Sequence, residues 1–281
     1  MAIPRPKLSR IVSLALEEDL GRGDLTSEAC VPSDVTGRAV LQAREDCVFC
    51  GGELVREVFA QIDPQVLVQT HAPDGTRAEP GTPLQTLTGP ARAILGGERV
   101  ALNFAQRLSG VATLARRYVD ALPAGSRTRI TDTRKTTPGL RSLERHAVRC
   151  GGAFNHREDL GSAVLIKDNH IAAAGGVGEA IARARAHAPH SSRIECEVDT
   201  LLQLEEALKA GADVVLLDNF SDAQIRQAVG KIAGRALIEV SGGINLERIP
   251  AIAAAGADLI SVGALTHSAR AIDLGLDWRD A

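Results

Sequence analysis

The stretch 131–141, TDTRKTTPGLR, places an arginine and a lysine side by side among hydroxyl side chains. No helix or strand face explains two adjacent cations at this point, and the Pro138-Gly139 pair that follows is typical of a turn. An arginine guanidinium pairs bidentately with carboxylate or phosphate, whereas a lysine ammonium acts as a point charge. We therefore predict that Arg134 and Lys135, with Thr133 beside them, hold an anion; a loop of solvated cations is the alternative.

The charged candidates separate by sign along the chain. Cations come first and carboxylates later, in the order Arg134, Lys135, His156, Arg157, Lys167, Glu197 and Asp218. A cationic half beside a two-carboxylate half suits a substrate with several negative groups, together with a divalent cation or sugar hydroxyls. Glu197 and Asp218 are suitable ligands for Mg²⁺ and its water. Singly, each has a simpler interpretation: Lys167 pairs with its neighbour Asp168, and the carboxylates cap helices or pair with surface arginines.

Two segments of small residues complete the candidate site. They are Ser241-Gly242-Gly243 and Val262-Gly263-Ala264. Small side chains let backbone N–H groups approach a phosphate, and the helix that follows adds its dipole. For the first segment, a tight turn without a ligand is the alternative.

These candidates lie at the ends of apolar segments that alternate with amphipathic ones. The apolar segments are TRITDT, SAVLIKDNH, RIECEVDT, DVVLLDN, RALIEVSGG and DLISVGA. Strand followed by helix, repeated, predicts parallel strands with right-handed crossovers. The carboxyl ends of such strands meet on one face of a β/α barrel, where active sites lie. Six strands rather than the usual eight predict an incomplete barrel.

The first part of the chain has a different pattern. Residues 8–20 predict an amphipathic helix, and residues 36–90 predict short strands separated by Asp-Gly and Pro-Gly turns. A long helix is predicted over residues 92–122, broken or bent at Gly96-Gly97 and at Ser109-Gly110. Its apolar stripe is Leu95, Ala101, Leu102, Ala105, Leu108, Val111, Ala112 and Ala115.

Composition limits the classes of function. A net charge of −3 and an aromatic content of 2% leave neither a basic field nor stacking surfaces for nucleic acid. No apolar segment reaches the roughly 18 residues that span a bilayer, and the first residues lack an apolar signal core. Five cysteines favour a reduced, cytoplasmic protein. Cys47 and Cys50 form a C-x-x-C without a second pair, so we assign them no metal, and we give His146 and His170 no role.

Several motifs together are similar to those of the quinolinate phosphoribosyltransferase family. In chain order they are EEDLGRGDLTSEACVP, ERVALNFAQRLSGVAT, DTRKTTPGLR, GGAFNHR, VLIKDNH, ECEVD, LLDN, SGGI and SVGALTHS. They extend over nearly the whole chain, and the combination of TRKTTPGLR with IKDNH is highly specific. The resemblance implies a type II phosphoribosyltransferase, a glycosyltransferase of NAD biosynthesis. Such an enzyme converts quinolinate and phosphoribosyl pyrophosphate (PRPP) to nicotinate mononucleotide, pyrophosphate and CO₂.

The resemblance also implies an architecture and an assembly. An N-terminal open-faced α/β sandwich domain, residues 1–115, precedes an incomplete β/α (TIM-like) barrel domain, residues 116–281. The extreme C-terminus packs back on the N-terminal domain. Arg107 enters the site of the neighbouring subunit, which makes a homodimer the working unit, and a hexamer of dimers is the higher assembly considered. From its helical position alone, Arg107 is a solvated side chain on a polar helix face.

Residue roles follow from the same resemblance. The cations of the quinolinate and pyrophosphate region are Arg134, Lys135, His156, Arg157 and Lys167. Glu197 and Asp218 face the ribose hydroxyls and Mg²⁺, and the two small-residue segments hold the 5-phosphate. The residues expected to act in catalysis are Lys135, Lys167, Glu197 and Asp218. Two loops depart from the family pattern, since Asp159 and Ser162 follow Arg157, and SGGI stands where SGNI is common.

Other functions remain compatible with these residues. A paralogous type II phosphoribosyltransferase with another acid substrate retains the same motifs, and paired assays with quinolinate and nicotinate distinguish it. A Schiff-base aldolase or lyase that uses Lys167 as the nucleophile is the alternative from a different class, with borohydride trapping as its test. A catalytically silent binding protein is disfavoured by the intact charge at successive strand ends.

Overall fold

The computed structural model describes residues 3–279, which form a mixed α/β protein. The helices are α1 (Arg5–Leu20), α2 (Leu25–Cys30), α3 (Gly52–Ile62), α4 (Ala91–Asp120), α5 (Arg141–Cys150), α6 (Asp168–Ala174), α7 (Val177–His187), α8 (Leu201–Lys209), α9 (Asp222–Ile232), α10 (Ile249–Ala255) and α11 (Ala264–His267). The strands are β1 (Thr36–Ala43), β2 (Cys47–Val48), β3 (Leu67–Thr70), β4 (Arg77–Ala78), β5 (Pro83–Pro90), β6 (Arg129–Thr131), β7 (Val164–Ile166), β8 (Ile194–Val198), β9 (Val214–Asp218), β10 (Leu237–Ser241), β11 (Leu259–Ser261) and β12 (Leu274–Arg279). A 3₁₀ turn, Leu246–Arg248, precedes α10.

The chain groups into two compact units, each built from more than one segment. The first unit contains the residues up to Arg116, Thr136–Gly152 and the segment from Leu265 onward. The second contains Arg117–Lys135 and Ala153–Ala264. The domain boundary predicted at residues 115 and 116 stays a prediction. Within residues 3–279, none of the helices has both the length and the apolar character needed to cross a bilayer.

The first unit is built around an antiparallel sheet. Its strand order is β12-β1-β5-β3, and β2 and β4 form a separate pair. The prediction of strands throughout residues 36–90 is wrong over Gly52–Ile62, which forms α3 because its apolar residues Leu54, Val55, Val58 and Phe59 share one buried helical face. The C-terminal strand β12 pairs with β1, with Trp278 opposite Ala39. The helix predicted over residues 8–20 is confirmed as α1, since its apolar residues recur every fourth position and three of them, Leu8, Val12 and Leu16, are buried.

Helix α4 runs without interruption through Gly96-Gly97 and Ser109-Gly110, so the predicted break is wrong. The glycines serve close packing instead. A Cβ on Gly97 would lie 2.6 Å from the ring of Phe59, and one on Gly110 would lie 1.9 Å from the carbonyl oxygen of Arg270. The apolar stripe is buried as predicted except at Leu95, which is 36% exposed because it lies at the margin of the buried face.

The second unit contains the six predicted parallel strands in one sheet. Their order is β6-β11-β10-β9-β8-β7, so β7 to β11 follow chain order and β6 lies beyond β11. Because β6 and β7 occupy opposite edges, the sheet is an open rather than a closed barrel, and the predicted fold class is confirmed. Helices α7 to α10 connect successive strands, as a parallel sheet requires.

The strand register determines which side chains share a face. Glu197 on β8 lies beside Leu216 on β9, and Asp218 lies beside Ser241 on β10. Alternate residues of a strand point to the same side, so Asp218 is on the same face as Leu216. Glu239 on β10 is also beside Leu216. The face that carries the candidate site is therefore lined by every second residue of these strands.

Candidate active site

The cationic stretch follows directly after β6. Asp132, which is fully buried, ties this loop to a neighbouring one. Its carboxylate accepts hydrogen bonds from the Asn155 side chain at 2.6 Å and from the backbone N–H of His156 at 2.7 Å. The loop turns back on itself where the Lys135 N–H donates to the Thr133 hydroxyl at 3.1 Å. Two cation-bearing loops are thus held side by side by one buried carboxylate.

His156 lies between two buried carboxylates. Its Nε2 is 3.3 Å from a carboxylate oxygen of Glu195 and 3.3 Å from one of Glu239. Burial opposes a charge on the ring, but the two carboxylates outweigh it and raise the pKa of His156 to about 10. Burial also raises the pKa of Glu195, next to the like charge of Glu239. The imidazolium is therefore part of a buried charge cluster beneath the other cations.

Arg157 and Lys167 approach the same pocket from neighbouring segments. Arg157 Nη1 donates to the carbonyl of Ala163 at 3.1 Å. Burial, and then the charge of Arg134, lower the pKa of Arg157. Two guanidinium groups that repel each other in a half-buried site are stabilised by an anion. Lys167 forms an ion pair with Glu197 across β7 and β8.

The second carboxylate lies one strand further along. Burial raises the pKa of Asp218, an effect that Lys167 opposes and Asp199 reinforces. One Asp218 oxygen accepts a hydrogen bond from the side-chain amide of Asn219 at 2.7 Å. Glu197 and Asp218 are therefore neighbouring carboxylates in the acidic half that the sequence predicted, with Lys167 at its border.

The Ser241-Gly242-Gly243 segment forms a turn that requires glycine. Gly242 has φ +85°, and a Cβ there would lie 2.2 Å from Oδ1 of Asn219 and 2.6 Å from its backbone nitrogen. Gly243 has φ +59°, a left-handed conformation that glycine and asparagine adopt most readily. This conformation is one that asparagine also tolerates, so SGGI and SGNI are both compatible with the turn.

The other departure from the family pattern is also accommodated locally. Ser162 accepts a hydrogen bond from the Asp159 N–H at 3.2 Å and donates one to the Asp159 carbonyl at 3.2 Å. The Gly161 N–H donates to the Asp159 carboxylate at 3.0 Å. The substituted residues thus close the turn after Arg157 by binding each other.

Most of the predicted residues line one pocket of the second unit, with a volume of about 380 Å³. Those that line it are Thr133, Arg134, Lys135, His156, Arg157, Lys167, Glu197, Asp218 and Ser241. Those outside its lining are Arg107, Gly242, Gly243, Val262, Gly263 and Ala264. The charged groups thus share one cavity, whereas the proposed backbone contacts with a phosphate stay a prediction.

Sequence reasoning missed several residues of this region. Glu239 and Ser261 line the pocket, and Glu195 binds His156 beneath it. The two-residue repeat of a β-strand could have identified the two glutamates. Glu195 and Glu239 lie two residues before Glu197 and Ser241, and therefore on the same face of the sheet. His170, to which no role was given, caps α6 by accepting a hydrogen bond from the Lys167 N–H at 2.9 Å.

Arg107 is held within its own chain, in the first unit. Its Nη2 lies 2.7 Å from the fully buried carboxylate of Glu144, and its Nη1 donates to the carbonyl of Ala269 at 2.7 Å. It also donates to the carbonyl of Thr266. The interpretation as a solvated side chain is therefore wrong, since a buried carboxylate requires a partner and fixes the guanidinium. Entry into a partner's site stays a prediction.

Fold and pocket together define a β/α-barrel protein that gathers cations and carboxylates at the carboxyl ends of parallel strands. The profile of the quinolinate phosphoribosyl transferase C-terminal domain matches residues 111–277, and that of the N-terminal domain matches residues 24–109. The chain belongs to the quinolinate phosphoribosyltransferase family, an enzyme family of the glycosyltransferase type. The family predicted from the motifs is thereby confirmed.

Individual relatives agree over nearly the full length. The chain is 42% identical over 271 residues to the probable nicotinate-nucleotide pyrophosphorylase [carboxylating] of Bacillus subtilis, covering 96% of this chain and 93% of the relative. It is 44% identical over 271 residues to the nicotinate-nucleotide pyrophosphorylase [carboxylating] of Mycobacterium leprae, covering 94% of each. The structure of the nicotinate-nucleotide pyrophosphorylase from Francisella tularensis superposes with a TM-score of 0.95 at 40% identity, covering 99% of this chain and 98% of that one.

Proposed function

We propose that this chain transfers the phosphoribosyl group of PRPP to quinolinate with loss of CO₂, in NAD biosynthesis. The quinolinate ring nitrogen forms a bond to C1 of the ribose as the C1–O bond to pyrophosphate breaks. The 2-carboxylate then leaves as CO₂, its bonding electrons remain on the ring carbon, and a proton from solvent adds there. The products are nicotinate mononucleotide, pyrophosphate and CO₂.

The observation that carries this proposal is the division of charge within one pocket. Quinolinate has two adjacent carboxylates and PRPP has several phosphate charges, so a site for both must concentrate cations. The pocket does so at Arg134, Lys135, Arg157 and Lys167. The ribose acquires positive charge as the C1–O bond breaks, and Glu197 and Asp218 at the acidic end suit that charge.

We assign the cationic side chains to orientation rather than proton transfer. Guanidinium groups of Arg134 and Arg157 pair with planar carboxylates bidentately, which fixes the ring and its nitrogen relative to C1 of the ribose. Lys135 and Lys167 add point charges for phosphate or carboxylate oxygens. His156 carries its charge between Glu195 and Glu239. We assign it to the charge cluster below the substrate anions rather than to direct contact with them.

Glu197 and Asp218 are the residues that would hold Mg²⁺. Two carboxylates on neighbouring strands fit an ion that retains most of its water and takes its remaining ligands from substrate phosphates. When bound, Mg²⁺ neutralises part of the charge on the leaving pyrophosphate. Burial and the charge of Asp199 raise the pKa of Asp218, which fits a carboxylate that gains from a cation beside it.

The two small-residue segments would bind the 5-phosphate of PRPP through backbone N–H groups. Ser241 lines the pocket, and the left-handed glycines Gly242 and Gly243 follow it at the end of β10. The segment Val262-Gly263-Ala264 occupies the corresponding position after β11. Successive N–H groups in such turns form concave binding sites for anions.

We propose a homodimer in which Arg107 completes the partner's site, and a hexamer of dimers as the assembly beyond it. The carboxylate of Glu144 holds the guanidinium in one orientation, and 26% of the Arg107 side chain stays exposed. A pocket of about 470 Å³ adjoins Arg107 in the first unit, lined partly by Val100, Phe104 and Leu14, the last of which is 57% exposed. An open apolar groove of this kind fits a second copy of the chain. Sedimentation equilibrium of the purified protein measures the assembly.

We also propose a cytoplasmic location. None of the five cysteines forms a disulfide, which fits a reducing compartment.

A Schiff-base lyase that uses Lys167 is the alternative function. It requires a single reactive lysine, so it does not account for the other cations that line the pocket.

The direct test is identification of the products. The purified protein, incubated with quinolinate, PRPP and Mg²⁺, is expected to form nicotinate mononucleotide and pyrophosphate in equal amounts. Nicotinate in place of quinolinate serves as the control acid, because it lacks the carboxylate that leaves. Faster conversion of nicotinate than of quinolinate would identify a paralogous transferase and overturn the proposal.

A further inference from the structure

Four side chains with metal-ligating atoms meet in the first unit. They are Cys50, Asp74, His146 and Cys150, and one ligand atom of each lies within 4.8 Å of all the others. Asp74 Oδ2 is 2.9 Å from His146 Nε2 and 3.7 Å from Cys50 Sγ, and Cys150 Sγ is 3.4 Å from His146 Nε2. Two sulfurs, one nitrogen and one oxygen therefore surround a single point.

The loop that carries Asp74 is fixed beside Cys50 by backbone hydrogen bonds. The Phe49 N–H donates to the Thr76 carbonyl at 2.9 Å, and the Gly75 N–H donates to the Phe49 carbonyl at 2.8 Å. These bonds bring together two segments more than twenty residues apart. Backbone hydrogen bonds thus place Cys50 and Asp74 next to each other.

The second pair comes from one face of α5. His146 and Cys150 are four residues apart, which is one helical turn, and their side chains lie one above the other. Ser109 fixes Cys50 opposite them, since its hydroxyl accepts from the Cys50 N–H at 3.0 Å and donates to the Cys50 carbonyl at 3.2 Å. Three separate segments of the chain therefore converge on the cluster.

Asp74 is oriented so that one oxygen faces the cluster. Its Oδ1 accepts hydrogen bonds from the backbone N–H groups of Gly51 and Gly52, at 3.0 and 2.9 Å. Its Oδ2 is the atom that approaches His146 and Cys50. Metal sites in proteins commonly have such outer hydrogen bonds, which hold a ligand in the binding orientation.

We propose that Cys50, Asp74, His146 and Cys150 bind a Zn²⁺ ion as a structural site. Zn²⁺ binds thiolate, imidazole and carboxylate at roughly 2.0–2.3 Å in a tetrahedron, so neighbouring ligand atoms are about 3.3–3.8 Å apart. The contacts of 2.9, 3.4 and 3.7 Å are within a few tenths of an ångström of those separations. Binding converts the two thiols to thiolates and leaves the imidazole neutral, so protons are released to solvent.

Four protein ligands leave no open position for a substrate, so the ion has a structural rather than a catalytic role. It ties the loop of Asp74 and the segment of Cys50 to α5, the helix that begins at the last residue of the TRKTTPGLR stretch. Cys47, the other cysteine of the C-x-x-C, is not a member of the cluster. It therefore provides a matched control in the same segment.

Zinc content of the full-length protein is the first measurement. Protein purified without chelator and dialysed against metal-free buffer is expected to retain about one Zn²⁺ per chain. The Cys150→Ser variant is expected to lose it, because a hydroxyl is a poor zinc ligand, and Cys47→Ser is expected to keep it. The loss of affinity in Cys150→Ser and His146→Gln should exceed the roughly 10- to 100-fold that removal of an outer-shell partner costs.

Cobalt substitution of the wild-type protein provides a second result that does not depend on a variant folding. Co²⁺ at the site is expected to give thiolate-to-metal charge-transfer absorption and the intense visible bands of a tetrahedral ion. Wild-type protein that binds neither metal contradicts the proposal, as does equal loss of zinc in Cys47→Ser and Cys150→Ser. A mass lower by two hydrogen atoms, with Cys50 and Cys150 linked in a peptide map, would show an oxidised disulfide instead of the metal site and would overturn the proposal.

Discussion

At the scale of single residues, the pocket depends on the largely buried positive charge of His156. His156 is flanked by Glu195 and Glu239, and its pKa of about 10 keeps the ring protonated at neutral pH. Removing the ring leaves two buried carboxylates without their counter-charge, which is costly in an interior. The same residue therefore contributes both to stability and to the potential of the site.

The pH dependence of stability follows from this arrangement. The folded pKa of His156 is raised from 6.5 to about 10, so its stabilisation is complete below about pH 6.5 and is lost as the pH rises through about 10. We expect the wild type to exceed His156→Gln in free energy of unfolding by a few kcal/mol at pH 6, and this difference to shrink towards pH 10. Urea unfolding of both proteins across this range measures it. A difference that does not change with pH would contradict the assignment.

Lys135 tests whether the opening stretch binds substrate. Its side chain is exposed and contributes little to packing, so Lys135→Ala should fold normally. Loss of a charge-assisted contact of about 1.5–3 kcal/mol should lower kcat/KM by roughly 10- to 150-fold. Lys231→Ala, which removes a lysine paired with Glu205 on the surface, is the control. Near-normal activity of Lys135→Ala would show that the pair is only a solvated loop.

At the scale of elements, the ends of β8 and β9 carry the acidic half. Asp218→Asn should raise the concentration of Mg²⁺ or PRPP required for half-maximal rate more than that of quinolinate, because we propose that this carboxylate binds the ion and faces the ribose of PRPP. Glu197→Gln should act similarly, with an added effect on quinolinate since it also removes the partner of Lys167. Initial rates with each component varied measure this, and Asp34→Asn, at an exposed carboxylate in the loop before β1, is the control. If Asp218→Asn raised the half-maximal concentrations of Mg²⁺, PRPP and quinolinate equally, the cationic and acidic halves of the pocket would not have separate roles.

The turn after β10 permits a test of backbone conformation. Gly242→Ala places a methyl group 2.2 Å from Oδ1 of Asn219 in a left-handed conformation that costs roughly 1–2 kcal/mol by itself. We expect lower stability and a raised KM for PRPP, measured by thermal unfolding and by initial rates. Gly178→Ala, in α7 with open space around it, should be neutral or slightly stabilising. A Gly242→Ala enzyme with normal stability and normal KM would contradict the turn's role.

Features determined by neighbouring residues could be predicted from the sequence, whereas contacts between distant segments could not. The strand ends at Lys167, Glu197 and Asp218 were predictable because each directly follows an apolar segment, and parallel topology brings such ends together. The grouping of Cys50 with Cys150 was not, since a hundred residues separate them and only the folded chain places α5 beside the Asp74 loop. The unbroken path of α4 through Gly97 was missed for a related reason, because the neighbouring Phe59 ring is supplied by another helix.

At the scale of the whole molecule, Arg107 connects the chain to its proposed assembly. Arg107→Ala and Arg157→Ala should each be inactive alone. Co-expressed, they should recover roughly a quarter of wild-type activity, because about half of the dimers are mixed and one of the two sites in each is intact. Activity of the purified mixture, compared with each variant alone, measures this. With both variants shown to be folded by circular dichroism, an inactive mixture would place Arg107 in its own subunit's site, and an active Arg107→Ala enzyme would leave it no role in either site. Arg107→Lys, which keeps a cation beside the buried Glu144 carboxylate, is the folding control.

The account as a whole is that one pocket joins PRPP to quinolinate and releases its 2-carboxylate, and isotopic labelling tests this most directly. Quinolinate labelled in the 2-carboxylate is expected to yield labelled CO₂ with the wild type only when PRPP and Mg²⁺ are both present. Label in the 3-carboxylate is expected to remain in nicotinate mononucleotide. Release of labelled CO₂ without PRPP, or transfer of phosphoribosyl without release from either position, would contradict the account.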